Sequence, residues 1–385
     1  MNAVVHPDDL PLAGLTVLDL SQGIAGPSCC AILRQQGARV IKIEPPEGDW
    51  ARHMGRSTDG HTAISIAYNA GKESVVVDGR TAEGRATLRA LALSADVVVQ
   101  NYRPGVAERL GVGYAALAEA HPRVIYVSIS GFGSEGPQAG LPALDTTVQA
   151  LTGLMHLNRD AQGQPRRIGF FVVDICTGLY AAQAVAARLY QTARTGRGRH
   201  IEVSMLQTAA ALQAYEIVDG ALFPGAGPGA FNAPTGLFAT ADGQIYVSML
   251  NDAMFRRLGG VLSLSTWETD PALQTSAGRL PRAAALNQQL AAALAERPTA
   301  HWEAVFTAHD ILHGRVRTAI ELREDAQAQH VGLFGELSQA GLATLPWPGL
   351  PGGGGHQPPP GAAPRLGEHT TCVLHEFRLT PQQPG

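Results

Sequence analysis

The chain has 385 residues, 29 Lys and Arg against 33 Asp and Glu, a formal charge of −4, and four cysteines. This near balance leaves no basic footprint for nucleic acid, and four scattered cysteines exclude a disulfide scaffold. Charged residues make up 16% where about 25% is usual, so a chain this long must bury much of its surface, in its core or against a second copy.

The uncharged stretch 220–241 is long enough to span a bilayer, but Pro224, Pro228 and Pro234 interrupt it and prevent a spanning helix. The start carries Asp8 and Asp9 and no apolar core of the kind a signal peptide needs. Cys29 and Cys30 are adjacent and Cys176 and Cys372 isolated, so no Cys/His set has metal-ligand spacing. The expectation is a soluble, cytoplasmic protein with no metal and neither a nucleic-acid nor a membrane partner.

Residues 13–130 read as repeated β–α units. Apolar runs at 15–20 (LTVLDL), 38–43 (ARVIKI), 74–77 (SVVV), 95–99 (ADVVV) and 123–129 (RVIYVSI) are strands, separated by helices over 28–36 and 81–93. Their near-continuous β-branched character argues for a parallel sheet covered on both faces, and so for a Rossmann-like doubly wound α/β domain. Helices follow at about 146–154 and 175–191, then a basic turn RTGRGR at 194–199, a strand at 200–204 and a helical stretch 205–220. Residues 221–236 are a Gly/Pro-rich linker or lid, and 237–325 a smaller α+β domain with a strand at 244–249. The large domain covers 1–220, completed by the segment 326–385, which includes an extended Pro/Gly-rich connection at 346–364.

Gly131–Gly136 (GFGSEG) fits GxGxxG after a strand, but Glu135, Pro137 and Pro142 oppose a helix opening there. A dinucleotide fingerprint needs that helix N-terminus. The turn Ser21–Pro27 (SQGIAGP) lies between the first strand and the first helix, at the sheet edge where ligands bind; it reads equally as an ordinary tight turn. Asp145 and Asp174 each precede an apolar helix and suit N-cap positions. Asp174 lies among Phe170, Phe171, Val172, Val173 and Ile175, which would strip water from it while the helix dipole favours its charge; it reads either as a cap or as a poorly solvated carboxylate suited to covalent attack. Gly225, Gly227 and Gly229 form either a plain linker or a mobile lid offering N–H donors. No GxSxG elbow or Ser-His-Asp set is present.

The run 12–44 (LAGLTVLDL…AGP…GARVIKIE) resembles the class III CoA-transferase family, which includes formyl-CoA transferases, carnitine CoA-transferases and α-methylacyl-CoA racemases. Further matching blocks follow in order: NAGKES at 69–74, NYRPG at 101–105, RLG at 109–111, GFGSEGP at 131–137, GRG at 196–198 and PRLGEHT at 364–370. The resemblance implies an interlocked homodimer and a nucleophilic aspartate matching Asp174. It places CoA against Ile24, Ala25, Val77, Arg80, Asn101, Tyr102 and Arg109, and matches the family's glycine loop, a lid with oxyanion-binding N–H groups, to Gly225, Gly227 and Gly229. Arg80 and Arg109 suit phosphate oxygens. Arg52 and Met54 lie where relatives place substrate-pocket groups, with Arg52 a candidate partner for a remote carboxylate.

The implied activity is transfer of CoA from an acyl-CoA donor to a small carboxylic acid acceptor, through aspartyl anhydride and aspartyl-CoA thioester intermediates on Asp174. CoA is a substrate, and no cofactor is permanently bound. Oxyanion donors are expected from the glycine loop and from the first turn of the Asp174 helix. Formyl-CoA transferases carry Gln at the position of Ile24 and Arg at that of Pro45, which argues against formyl-CoA and oxalate as the pair. Racemases carry a His before the aspartate matching Asp145, and here Leu144 stands there. A racemase needs two bases, so racemization is the alternative reading; a catalytically silent CoA-binding subunit is another.

Overall fold

The computed structural model describes residues 9–160, 162–225, 231–352 and 360–379. It divides into two compact units: Met1–Ile217 with Val331–Gly385, and Val218–His330.

The larger unit is built on six strands: β1 (Thr16–Asp19), β2 (Arg39–Glu44), β3 (Glu73–Val76), β4 (Val97–Gln100), β5 (Ile125–Ser130) and β6 (Arg199–Ser204). They form one all-parallel sheet in the order β3-β2-β1-β4-β5-β6. This is the doubly wound order, whose direction reverses between β1 and β4. Side chains alternate between two cores. Val17, Val97, Val99, Ile125 and Val127 face one side with Cys29, Leu33, Ala181 and Val185. Leu18, Ile41, Val98 and Tyr126 face the other, with Leu88, Leu91 and Leu117. Both faces are buried, which is why the strands read as near-continuous apolar runs.

Five helices matter for the site: α1 (Ala25–Gln35), α2 (Ala63–Asn69), α3 (Ala82–Ser94), α4 (Asp145–Leu151) and α5 (Val172–Thr195). α1 starts before Pro27, so this proline is its third residue, inside the first turn where its missing N–H costs nothing. α5 is long and apolar enough to cross a membrane by length and composition. Its Val173, Ala181, Ala182 and Val185 are buried, and the last three share a core with the sheet and α1. The stretch read as one helix over 205–220 is two, Met205–Leu212 and Ala214–Leu222. The C-terminal segment returns to β3: His369 N–H donates to Ser74 O (2.9 Å), and Val373 and Leu374 join the core beneath.

The smaller unit holds a three-stranded antiparallel sheet, Gly236–Ala239, Gln244–Ser248 and Leu312–Arg315, with Gln244–Ser248 central. Ile245 and Val247 pack against Phe255, Leu258, Trp267, Leu290 and Phe306.

Candidate active site

The loops after β1 and β4 diverge at the reversal of strand order, and a cavity of about 630 Å³ opens there. Gln22, Ile24 and Ala25 come from the first loop and Asn101, Tyr102 and Arg103 from the second. The loop after β5 adds Ser130, Gly131 and Leu141–Leu144, and Trp50, Met205 and Asp174 complete the wall. Among the sequence-predicted positions, Ile24, Ala25, Asn101, Tyr102 and Asp174 are therefore brought together. Val77, Arg80, Arg109 and Met54 do not line this cavity. Arg80 is exposed and pairs with Asp78 (2.7 Å); Val77 is buried in the core. Gly225 is exposed in a left-handed turn (φ 81°), while Gly227 and Gly229 lie outside the described residues. After Gly131 the next helix starts only at Asp145, so the GxGxxG stretch meets no helix N-terminus.

The turn between β1 and α1 is held from outside by buried charges. Lys42 Nζ donates to Ser21 O (2.9 Å) and pairs with Asp49 (2.9 Å). Asp49 in turn accepts the Gly23 N–H (3.0 Å). Asn101 accepts the Gln22 N–H (2.9 Å) and donates to Gln22 O (2.7 Å). Lys72 donates to Pro27 O (2.9 Å) and to Asp19 (2.7 Å), and Asp19 accepts from the Ser21 N–H and hydroxyl. Gly23 sits at φ +79°, a region that L side chains rarely adopt, and a Cβ there would strike Trp50. Against this restraint, the N–H groups of Ile24, Ala25 and Gly26 make no hydrogen bond of normal geometry among the described residues. The first two of these residues line the cavity.

Electrostatics follow from burial and pairing. Burial pushes Asp19 up, but Lys72 and Lys42 outweigh it and hold the carboxyl at about 2. Burial likewise opposes ionization of Glu44, and Arg52 and Lys42 bring it to about 2. Lys42 is held well above the ordinary lysine value: burial opposes its charge, but Asp19 and Asp49 overcome it. Burial pushes the Tyr102 phenol up to about 12.

Asp174 behaves differently. Burial first, and the charge of Asp145 second, raise it to about 7. It is not an N-cap: α5 begins at Val172, after Phe171, so Asp174 lies inside the first turn. Asp145 does not cap its own helix either. It is the first residue of α4, and its carboxylate instead caps α5, with Oδ2 accepting the N–H groups of Val173 (2.8 Å) and Asp174 (3.0 Å). Val172 and Ile175 N–H groups are also committed, to Phe170 O and Phe171 O. The first turn of the Asp174 helix is thus saturated and cannot serve as the oxyanion donor expected from sequence. Among the described residues, the unengaged N–H groups at the cavity are those of Ile24 and the first turn of α1.

Arg52 also departs from expectation. It is buried and forked onto Glu44 (2.6 and 2.7 Å), with a third bond to Pro364 O (3.2 Å). Its guanidinium is used inside the fold and is not presented to a substrate. Sequence reasoning missed Arg103, the cationic side chain lining the cavity; its place directly after Asn101 and Tyr102 was the available signal. It also missed the Lys42, Lys72, Asp19 and Asp49 network, which no local pattern announces.

A family model described as CoA-transferase family III matches residues 12–370. The chain is 34% identical over 380 residues to acetyl-CoA:oxalate CoA-transferase of Acetobacter aceti, covering 95% of this chain and 96% of the relative. It is 32% identical over 389 residues to succinate–glutarate CoA-transferase of Agrobacterium fabrum, covering 95% and 96%. Among solved structures, a CAIB/BAIF family protein from Brucella suis superimposes with a TM-score of 0.85 at 30% identity, over 96% of this chain and 99% of that one.

Proposed function

Because the chain belongs to CoA-transferase family III, and is an acyl-CoA:carboxylate CoA-transferase, we propose that Asp174 is its covalent nucleophile. One observation carries this: Asp174 is the carboxyl group of the cavity wall, and burial places its ionization near neutrality. A poorly solvated carboxylate is a stronger nucleophile than a hydrated one.

In this reading the Asp174 carboxylate oxygen attacks the donor acyl carbonyl. The C–S bond breaks, CoA leaves as thiolate, and a mixed anhydride forms. The thiolate attacks the aspartyl carbonyl, expels the donor acid as carboxylate and leaves an aspartyl-CoA thioester. The acceptor carboxylate attacks that thioester and releases the thiolate, forming a second anhydride. The thiolate then takes the acceptor's acyl group and frees the Asp174 carboxylate. No proton is gained or lost. Each step develops an oxyanion, which the Ile24 and Ala25 N–H groups suit as fixed donors because the turn around them cannot relax. Asn101, Tyr102 and Arg103 suit the CoA moiety at the same wall.

The names of the relatives favour a small dicarboxylic acid as acceptor or donor product. The same reading carries a homodimer acting in the cytoplasm; the exposed apolar side chains Leu179, Tyr180, Tyr190, Tyr215 and Ile217 suit burial against a second copy. Racemization is disfavoured. The described cavity wall holds no histidine, and its only other proton-bearing acid is the Tyr102 phenol, raised by burial to about 12.

The test is peptide mass mapping after incubation with succinyl-CoA and acetyl-CoA, quenched with and without hydroxylamine. A hydroxylamine-sensitive CoA adduct on the peptide holding Asp174 is expected. Deuterium uptake at an acyl α-carbon without an adduct would point to a racemase. CoA binding with neither would point to a silent subunit.

A further inference from the structure

Asp145 and Gln149 stand one helical turn apart on α4, both buried, and neither lines the cavity. Their hydrogen bonds form a directed chain. Gln149 Oε1 accepts the Ile168 N–H (2.8 Å), which fixes which end of the amide is oxygen. Gln149 Nε2 therefore donates, to Asp145 Oδ1 (2.5 Å) and more weakly to Phe170 O (3.4 Å). Asp145 Oδ2 receives the Val173 and Asp174 N–H groups at the start of α5. Three donors thus converge on a group that only a carboxylate can satisfy. An asparagine amide would place its NH₂ against either Gln149 Nε2 or the helix N–H groups, donor against donor.

The consequence falls on Asp174. A helix N-terminus carries partial positive charge and free N–H groups, both of which calm a nearby anion. Here both are consumed before Asp174 can use them, and the consuming group is itself a carboxylate. We propose that Asp145, held by Gln149, is a positioning residue for the transfer reaction: it denies Asp174 the stabilization of its own helix start and leaves that carboxylate reactive toward the cavity. This rests on the reading of Asp174 as nucleophile. The other titratable groups set against this site are the Tyr68 phenol of α2, raised by burial and then by Asp174 and Asp145, and the Cys176 thiol of α5, raised by burial and then by Asp145. Neither supplies a compensating positive charge; the cation of this cavity is the exposed Arg103, which does not offset the burial and the Asp145 charge that raise Asp174.

The experiment pairs two readouts on the full-length protein: the pH dependence of adduct formation at Asp174 with succinyl-CoA, and a ¹³C-carboxyl NMR titration of Asp174 without substrate, assigned by difference from Asp174→Asn. In the parent both midpoints are expected near 7. In Asp145→Asn they should fall by about one unit or more, with the maximal adduct rate reduced about tenfold. Gln149→Leu keeps the Asp145 charge but frees the carboxylate to turn, so it should lose rate with its midpoint within about half a unit of the parent. Adduct formation with unchanged midpoints in Asp145→Asn, or a parental rate in Gln149→Leu, would overturn the proposal. A shifted NMR midpoint without any adduct in the parent would instead sink the nucleophile assignment and leave the electrostatic relationship standing. Should Asp145→Asn not fold, Gln149→Leu decides alone by its rate.

Discussion

A methyl group on Gly178 would lie 1.9 Å from the Ser28 hydroxyl oxygen and 2.7 Å from the Ala25 carbonyl oxygen. α5 therefore meets α1 backbone to backbone, one turn beyond Asp174 and against the first turn that carries the unengaged N–H groups. The contact sets the spacing between the proposed nucleophile and the proposed oxyanion donors. Gly178→Ala must push the helices apart, because Ala25 O and Cys29 N are main-chain atoms and cannot swing aside. Overpacking of this kind costs about 1–3 kcal/mol, seen as a lower Tm. Misplacing reacting groups by an ångström costs about 100-fold in rate. Adduct formation at Asp174 should fall by roughly that factor while the protein remains folded. A parental rate in a destabilized Gly178→Ala protein would show that the spacing is not critical.

Removing the proposed nucleophile should stabilize the protein, increasingly as pH rises from about 4 to about 7. The carboxyl of Asp174 ionizes near 7 in the fold against an ordinary 3.8. Below the ordinary value it is neutral in both folded and unfolded chains. As pH rises through about 7, the fold must hold an anion that the unfolded chain holds more easily, so stability is lost. Asp174→Asn escapes this loss. Urea unfolding should find the variant more stable by roughly 1–3 kcal/mol at about pH 8 and equal to the parent at about pH 4. A constant difference across that range would mean that Asp174 is not strained by ionization.

The pair Lys72–Asp19 predicts the opposite pH trend. Both side chains are fully buried and 2.7 Å apart. Lys72→Met removes the ion-pair partner of the buried Asp19 and leaves it only the Ser21 donors and the more distant Lys42 charge, a loss of about 3–5 kcal/mol. In the parent, Asp19 ionizes at about 2, so its stabilization is present above the ordinary carboxyl range and is lost as pH falls through about 2. In the variant a protonated Asp19 no longer costs anything in acid. The gap between parent and variant should be widest at about pH 7 and narrow toward about pH 3. Adding Asp19→Asn to Lys72→Met should recover part of the loss, because the buried charge that lost its ion-pair partner is then gone.

The strands were legible because each is buried on two faces, and the apolar runs say so without reference to distant residues. That Ile24, Ala25, Asn101, Tyr102 and Asp174 meet at one cavity was legible through the family resemblance of the segments that carry them. The start of α5 was not. A helix that supplies its own cap announces it with Ser, Thr, Asp or Asn before the first turn; α5 is capped by Asp145 from another segment, so Asp174, three residues late, was mistaken for the cap. Lys42 and Lys72 read locally as polar punctuation near strands β2 and β3. Their burial depends on partners that come together only when the sheet assembles.

Arg52 and Arg103 offer a final discrimination, because sequence favoured the first as a substrate contact and the fold favours the second. Arg52 is forked onto Glu44, which also accepts from Ser74 (2.7 Å) and the Asp49 N–H (3.0 Å). Replacing it by Met leaves a buried carboxylate short of its main partner, so Arg52→Met should cost about 3–5 kcal/mol. It should leave the ratio of rates with succinate and acetate as acceptors unchanged within about twofold. Arg52→Lys, which keeps the charge but loses the fork, should lie between the two in stability. Arg103 is exposed at the cavity wall, so Arg103→Ala should leave the free energy of unfolding within about 0.5 kcal/mol of the parent. It should raise KM for acyl-CoA about tenfold, the effect of losing one charged contact shared by ground and transition states. A selective loss of dicarboxylate transfer in a folded Arg52→Met protein would return that residue to the substrate.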